Sequence, residues 1–316
     1  MITVRRYLDS DRNLWDEFCR RSKSPLFIFE RDFMEYHKDR FSDHSLIFYN
    51  EDEEVVAILP CNESDGKLFS HAGLTYGGFI TNTKMKQHTM NECFDTLIDY
   101  AKEKGFTSIL YKAVPHIFHE QPSEEDRYAL FRHMGKIFKI EPATVINLSA
   151  PLKMPKGRKA QISRARREGV EIRELFDEAS YHSFMNLENQ VLGKYHDSQA
   201  THSGDEMYLL HSRFPDKIHL FAAFLKDEMI AGSVIYEYGQ IVHTTYLAAN
   251  DIARKIGALD LTISRMIERF KESKLWFDFG ISSEDGGNFL NEGLISQKEG
   301  FGGRTNIYDT WCIDIY

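Results

Sequence analysis

The 316-residue chain predicts an α/β (α+β) fold of two similarly built halves, each a mixed, mostly antiparallel sheet flanked by helices. Three observations lead there. Each half reads as strands, helix, strand, helix, strand when apolar periodicity is followed along the chain. Between Ser149 and Pro155 the composition changes and two prolines occur, which is where a domain boundary belongs. The runs His219–Leu225, Met229–Tyr238 and Ile241–Leu247, joined by tight turns at Lys226-Asp227 and Gly239-Gln240, form a hairpin series that feeds an amphipathic helix. The predicted domains are 1–150 and 151–316.

In the first half Ile2–Tyr7 reads as a strand, and Asp11 as the N-cap of a helix to about Arg21. The stretch Glu30–Phe41 places Phe33, Met34 and His37 at helical spacing. Ser45–Tyr49 and Val55–Cys61 make a hairpin around Glu51-Asp-Glu-Glu54, and Lys67–Ser70 a short strand before the loop His71–Gly78. A helix over Lys84–Lys104 puts Cys93, Phe94, Leu97, Ile98 and Ala101 on one face and stops at Gly105. Ser108–Ala113 is a strand, Glu124–Met134 a helix and Phe138–Leu148 a strand.

The second half opens with a basic helix over Gly157–Glu168, then the strand Val170–Arg173 and a helix at Glu178–Gln190. An irregular polar segment, Val191–Gly204, precedes a helix at Asp205–Phe214 and the hairpin series. Ala249–Lys255 is a polar connection into a helix ending near Lys274, followed by the strand Trp276–Gly280. A Gly/Ser/Asp-rich loop and a helical segment lead to Lys298-Glu-Gly-Phe-Gly-Gly303. Thr305–Asp314 closes the chain as a strand alternating around Ile307, Trp311 and Ile313.

With 42% hydrophobic and 28% charged residues the chain has the composition of an ordinary globular protein. No apolar run approaches the roughly 20 residues needed to span a bilayer. The start, Met1-Ile-Thr-Val-Arg-Arg, enters a strand directly, so neither membrane insertion nor a signal peptide is expected and the expected compartment is the cytoplasm. The four cysteines are widely spaced and read as reduced thiols. A net charge of −9 argues against wholesale nucleic-acid binding, and the 23 Phe and 15 Tyr read as core.

Three constellations bear on chemistry. Arg254-Lys255-Ile256-Gly257-Ala258 opens the helix after the third hairpin strand. There two cations and the helix dipole favour an anion, and the glycine lets a phosphate approach the backbone. An ordinary helix start with solvated basic residues is the alternative. The basic helix Lys156-Gly-Arg-Lys159 to Arg167, with Arg164, offers either a solvated face or contacts to phosphates. Near the strand ends stand Asp278, Tyr246 and Lys298. Amine attack on a thioester needs a base for the ammonium, an acid or contact for the thiolate and a cation for the oxyanion. For each of these residues a capping or packing role is the competing reading. His116-Ile-Phe-His119 has metal-compatible spacing but sits in a loop with no third ligand nearby, so no metal is expected.

The hairpins, Arg254-x-x-Gly257, the helix and the strand Trp276–Gly280 resemble the acyl-donor half of a GNAT-fold acyltransferase, with Leu259 standing where a small residue is usual. Phe277-Asp278-Phe279-Gly280, Ser282-Ser-Glu-Asp-Gly-Gly-Asn288, Gly293-Leu294 and Lys298–Gly303 resemble the Fem-type aminoacyltransferases and Fem-like acyl-CoA N-acyltransferases. There Gln297 replaces the usual Phe before the lysine. Lys159, Ile162, Arg164, Ala165 and Gly169-Val170 match the stretch that opens the second domain in that family.

The resemblance implies two tandem GNAT-like domains, the first on the acceptor side and the second on the donor side. It implies direct attack of an amine on a thioester or ester carbonyl, without a covalent enzyme intermediate. The expected catalytic residues are Lys298, Asp278 and Tyr246. The expected donor contacts are Arg254, Lys255, Ile256, Gly257 and Ala258, and the expected acceptor contacts Tyr76, Gly77, Lys159, Arg164 and Ser282. The expected donor is acetyl-CoA or another acyl-CoA, without a metal, and the acceptor an amino-sugar, cell-envelope precursor or similar amine. Transfer from aminoacyl-tRNA to a peptidoglycan precursor, and a non-catalytic binding module, are the two alternatives.

Overall fold

The computed structural model describes residues 1–196 and 198–316. In chain order the first elements are β1 (Thr3–Arg6), α1 (Arg12–Arg20), α2 (Arg31–Met34), β2 (Ser42–Asp43), β3 (Leu46–Tyr49), β4 (Val55–Leu59), β5 (Asn62–Ser64), β6 (Lys67–Phe69) and β7 (Ile80–Thr81). They continue with α3 (Gln87–Lys104), β8 (Ser108–Lys112), α4 (Glu125–Arg132) and β9 (Lys136–Asn147). The long helix expected over Glu30–Phe41 is instead α2 plus a short 3-10 turn, Glu35–His37. Here the Arg31 guanidinium, 2% exposed, sits over the Tyr7 ring and pairs with Asp43, so tertiary contacts displace helical propensity. Helix α3 ends on Gly105 in the left-handed region (φ 76°), the conformation that favours glycine at a helix C-terminus.

The later elements are α5 (Lys156–Arg167), β10 (Glu171–Leu175), α6 (Glu178–His196), α7 (Gly204–Arg213), β11 (Ile218–Leu225), β12 (Glu228–Glu237) and β13 (Ile241–Ala249). Then come α8 (Asp251–Ile256), α9 (Ala258–Phe270), β14 (Trp276–Ile281), β15 (Ser283–Glu284), β16 (Phe289–Leu290), α10 (Glu292–Glu299) and β17 (Arg304–Asp314). Helix α6 runs into the segment expected to be irregular, whose residue 197 lies outside the described residues. The expected connection Ala249–Lys255 holds the short helix α8, because Asn250 caps it by accepting from the Ala253 N–H at 2.9 Å. In β17 the buried residues at the start are Asn306, Tyr308 and Thr310, and Ile307 is 41% exposed. The alternation there is therefore opposite in phase to the one expected from Ile307.

Two compact units result: Met1–Pro142 with Ser283–Phe289 and Asn306–Tyr316, and Ala143–Ser282 with Leu290–Thr305. In the first, β1-β3-β4-β7 form one antiparallel sheet. Beside it, β8 pairs antiparallel with β17 and parallel with β6, which continues through β5 to β2. Helix α3 covers this unit's core with Met90, Cys93, Phe94, Leu97 and Ala101, all 2% exposed or less. Burial of a side chain such as Phe94 is worth about 2–3 kcal/mol. In the second unit β10-β11-β12-β13-β14 and the end of β9 form the sheet. Only the β13–β14 pair in it is parallel. Its core gathers Phe221, Ile230, Ile235, Val242, Ile263, Met266, Phe270 and Phe277.

Candidate active site

The site follows from how β13 and β14 pair. Their parallel register covers Ile241↔Trp276, Val242↔Phe277 and His243↔Asp278 and goes no further, although β13 continues to Ala249 and β14 to Ile281. Two local features drive them apart. The β12–β13 register shifts between Val234 and Ile235, and the β14–β9 register shifts between Asp278 and Ile281. Such bulges bend a strand out of its ladder. Gly280 makes the second bend with φ +68°, a conformation that strains any side-chain-bearing residue.

The last shared rung is locked chemically. Asp278 is 0% exposed, with Oδ2 2.7 Å from His243 Nδ1 and Oδ1 accepting from the Gly280 N–H at 3.1 Å. Asp278 thus stands inside the sheet and holds the bend in shape. Lys298, reaching from α10, donates to the carbonyls of Gly280 at 3.1 Å and Ile281 at 2.5 Å. Burial pulls its pKa down to about 8, with Asp278 opposing. Two of its three N–H bonds are used there, which leaves one for a ligand.

On the β13 side Tyr246 is partly buried. Its hydroxyl lies 2.6 Å from His202 Nδ1 and accepts from the His202 backbone N–H at 3.2 Å. Burial pushes this hydroxyl up to about 12, against the His202 N–H and with the charge of Glu188 adding to it. A group that weakly acidic is a hydrogen-bond donor rather than a ready proton source for a thiolate, whose own range is about 8–9. Flanking the divergence, the hydroxyls of Thr244, Thr245 and Ser282 are buried without a hydrogen-bond partner among the described residues. Buried polar atoms left so are costly, and they point to a ligand or water as the missing partner.

The expected anion site at Arg254–Ala258 is built differently. Gly257 (φ +81°) is at once the C-cap of α8 and the N-cap of α9, and a Cβ on it would lie 2.7 Å from the Gln161 carbonyl of α5. The glycine therefore admits a neighbouring backbone rather than a phosphate. In the first turn of α9, Ala258, Leu259 and Asp260 are 9% exposed or less, and Asp260 pairs with Arg158 of α5. Leu259 is large because it is a core residue. Ile256 is buried too. Arg254 lies over the Tyr195 ring at 4.2 Å and donates to the Ala249 carbonyl at 3.0 Å, while Lys255 is exposed.

The expected acceptor contacts do not gather in one place. Tyr76 is 1% exposed and packs on Phe118 and Tyr308 inside the first unit, and the Gly77 N–H donates to the Lys112 carbonyl at 3.0 Å. Lys159 is exposed and Arg164 half-buried on α5. Ser282 does lie beside the divergence, directly after β14. Sequence reasoning missed His243, His202 and Glu188. For Glu188 a signal was present, an acid one turn from Phe184 and one turn from Val191 in a helix's apolar stripe.

Residues 156–286 match the family model described as an acetyltransferase (GNAT) domain. That span lies mostly within the second unit. Solved structures extend the likeness to the whole chain. The crystal structure of FemX aligns with TM-score 0.68 at 11% identity, over 97% of this chain and 96% of that one. The structure of L-PGS from Bacillus licheniformis gives 0.64 at 14%, over 95% and 90%. A tandem GNAT protein from the clavulanic acid biosynthesis pathway gives 0.56 at 9%, over 100% and 99%. The fold is thus a Fem-like tandem GNAT. No curated protein matches the chain. Among the described residues no helix is long and apolar enough to cross a membrane.

Proposed function

We propose that the chain moves an acyl group from an acyl-CoA to an amine acceptor, an amino-sugar or cell-envelope precursor. The reacting carbonyl would sit where β13 and β14 part. The observation that carries the reading is the three-rung limit of that parallel pair, which leaves the β13 edge from Thr244 onward without a partner in β14. An unpaired strand edge accepts an extended amide-bearing ligand through its main chain. The thioester carbonyl then lies near Ser282 and the remaining N–H of Lys298, which stabilises the oxyanion as the amine attacks. Lys298 takes this role as a cation, below its pKa of about 8.

Titration calorimetry with acetyl-CoA and longer acyl-CoAs tests the donor, with micromolar binding and thiol release on addition of an amine as the expected result. Absence of both for every acyl-CoA overturns this donor.

One observation favours a second donor. The buried first turn of α9 offers no open phosphate cradle, whereas Lys156, Lys159, Arg166 and Arg167 of α5 are exposed. An aminoacyl-tRNA would supply its ester carbonyl to the same opening, and its binding would weaken steeply with salt.

A further inference from the structure

Helix α6 packs against β12 and β13 through a stripe of buried residues, Tyr181, Phe184, Met185, Glu188 and Val191. Four of these are apolar or aromatic. The fifth, Glu188, is 6% exposed, and its Oε2 has no hydrogen-bond partner among the described residues. The register of the helix shows where it looks. Phe184, one turn earlier, lies against Gly232 of β12. Glu188 acts electrostatically on Tyr246 of β13, three residues past the last rung of the β13–β14 pair. A carboxyl in such a stripe weakens packing and leaves a polar atom unmet, so stability does not account for it.

We propose that Glu188 takes the proton from the acceptor ammonium, which makes it the base of the transfer reaction. This rests on the acyl-transfer reading above. An alkyl amine arrives at neutral pH as an ammonium with no lone pair to attack with. The ammonium gives one proton to the Glu188 carboxylate, and the neutral amine then forms the C–N bond. The C–S bond breaks as the oxyanion collapses, and the second nitrogen proton passes to the departing thiolate. The products are an amide, a free thiol and a protonated Glu188, which returns its proton to water.

The environment suits the task. Burial raises the Glu188 carboxyl to about 7, where it is neither permanently ionised nor permanently protonated. Glu188 couples electrostatically to Tyr246 on β13, whose hydroxyl lies 2.6 Å from Nδ1 of His202, ahead of α7. Charged groups elsewhere around α6 are engaged: Asp205 of α7 with His182, Lys194 with Asp251 of α8, and Glu237 of β12 with Lys274. His211 of α7 stacks on Tyr181, two turns before Glu188.

The test compares wild type with Glu188→Gln, which keeps size and shape, after checking that thermal unfolding and acyl-CoA binding are retained. With an alkyl amine the variant should lose on the order of 10²–10⁴-fold in kcat/KM, the usual span for a general base. With hydroxylamine, already neutral at pH 7, the loss should stay within about tenfold. Equal losses for both nucleophiles overturn the assignment. Independently of turnover, the infrared difference between wild type and variant should show a protonated-carboxyl band that titrates near 7. A carboxyl still ionised at pH 5 overturns the assignment alone. A band that titrates near 7 in a protein that transfers no acyl group from any acyl-CoA or aminoacyl ester overturns the transfer reading, and the catalytic role with it.

Discussion

Each unit contains a parallel strand pair that follows a hairpin and a helix, β6–β8 and β13–β14, and the two pairs are finished differently. In the first, β6 and β8 share three rungs, Lys67↔Ser108, Leu68↔Ile109 and Phe69↔Leu110. The chain after β6 then stays on β8: Ser70 N–H donates to the Leu110 carbonyl, Lys112 N–H to Ser70 Oγ, Gly77 N–H to the Lys112 carbonyl and Phe79 N–H to the Tyr111 hydroxyl. In the second, β13 and β14 also share three rungs, but nothing in β14 follows β13 beyond them. The same layout is thus closed by its own loop in one unit and left open past its third rung in the other. Lysines mark both ends. Lys112 donates to the carbonyls of His71, Ala72 and Leu74, and Lys298 to those of Gly280 and Ile281. Main-chain saturation, rather than sequence motif, separates the scaffold unit from the candidate catalytic one.

The sharpest break of this comparison is a pair of substitutions. Lys298→Ala should lower kcat by on the order of 10²-fold, the loss expected for a group at the oxyanion. Lys112→Ala should leave kcat within about threefold while costing about 1–3 kcal/mol of stability, as its three carbonyls lose their donor. Initial rates and urea midpoints of both variants decide it, and equal kcat losses in folded proteins would abolish the distinction. Next in size is the pH response. Burial lowers both lysines to about 8, from 10.5 when unfolded. The folded protein therefore binds fewer protons between those values, and stability should rise with pH through that window. Below about 8 both are charged and the penalty of burying them is constant. Turnover should fall above pH 8, and only Lys298→Met should remove that limb. Either lysine changed to methionine should flatten the rise in urea midpoint.

A smaller effect sharpens the shape argument. Gly280→Ala places a Cβ 3.3 Å from the His243 ring on a φ of +68°. The change should cost about 1–2 kcal/mol, and kcat should drop further than stability predicts if the bend aims Lys298 and Ser282. Calorimetric Tm and kcat measured on the same preparation separate the two. Least of all, Lys255→Ala should raise the donor KM by about two- to fivefold with kcat unchanged, because an exposed cation contributes little. A KM unchanged within error places the donor phosphates elsewhere.

Much of this architecture was readable from periodicity. The hairpin series, α3 with its Gly105 stop and the strand Trp276–Gly280 carry strong local signals, and all three form. The region 31–41 departs from its helical spacing because the contacts of Arg31 with Asp43 and the Tyr7 ring are tertiary. The site was legible only in part. Lys298 reaches the strand ends as its glycine-rich setting suggested. The openness of α9's first turn, by contrast, depends on α5, which lies about a hundred residues earlier in the chain and covers Gly257. Asp278 and Tyr76 looked reactive or ligand-facing by residue type, and burial assigned them to the interior. Glu188 was hidden for the opposite reason, as an acid inside a stripe read only for its apolar members.

The final strand carries a consequence for how the molecule is made. Asp314 and Ile313 pair with Ser108 and Ile109, so the first unit's central ladder joins residues separated by nearly two-thirds of the polypeptide. β8 therefore waits with one edge uncovered until the roughly two hundred residues up to β17 have been synthesised. Premature stops that remove 306–316 should therefore harm the amino-terminal unit most, and leave a nascent chain that aggregates through an unpaired strand edge.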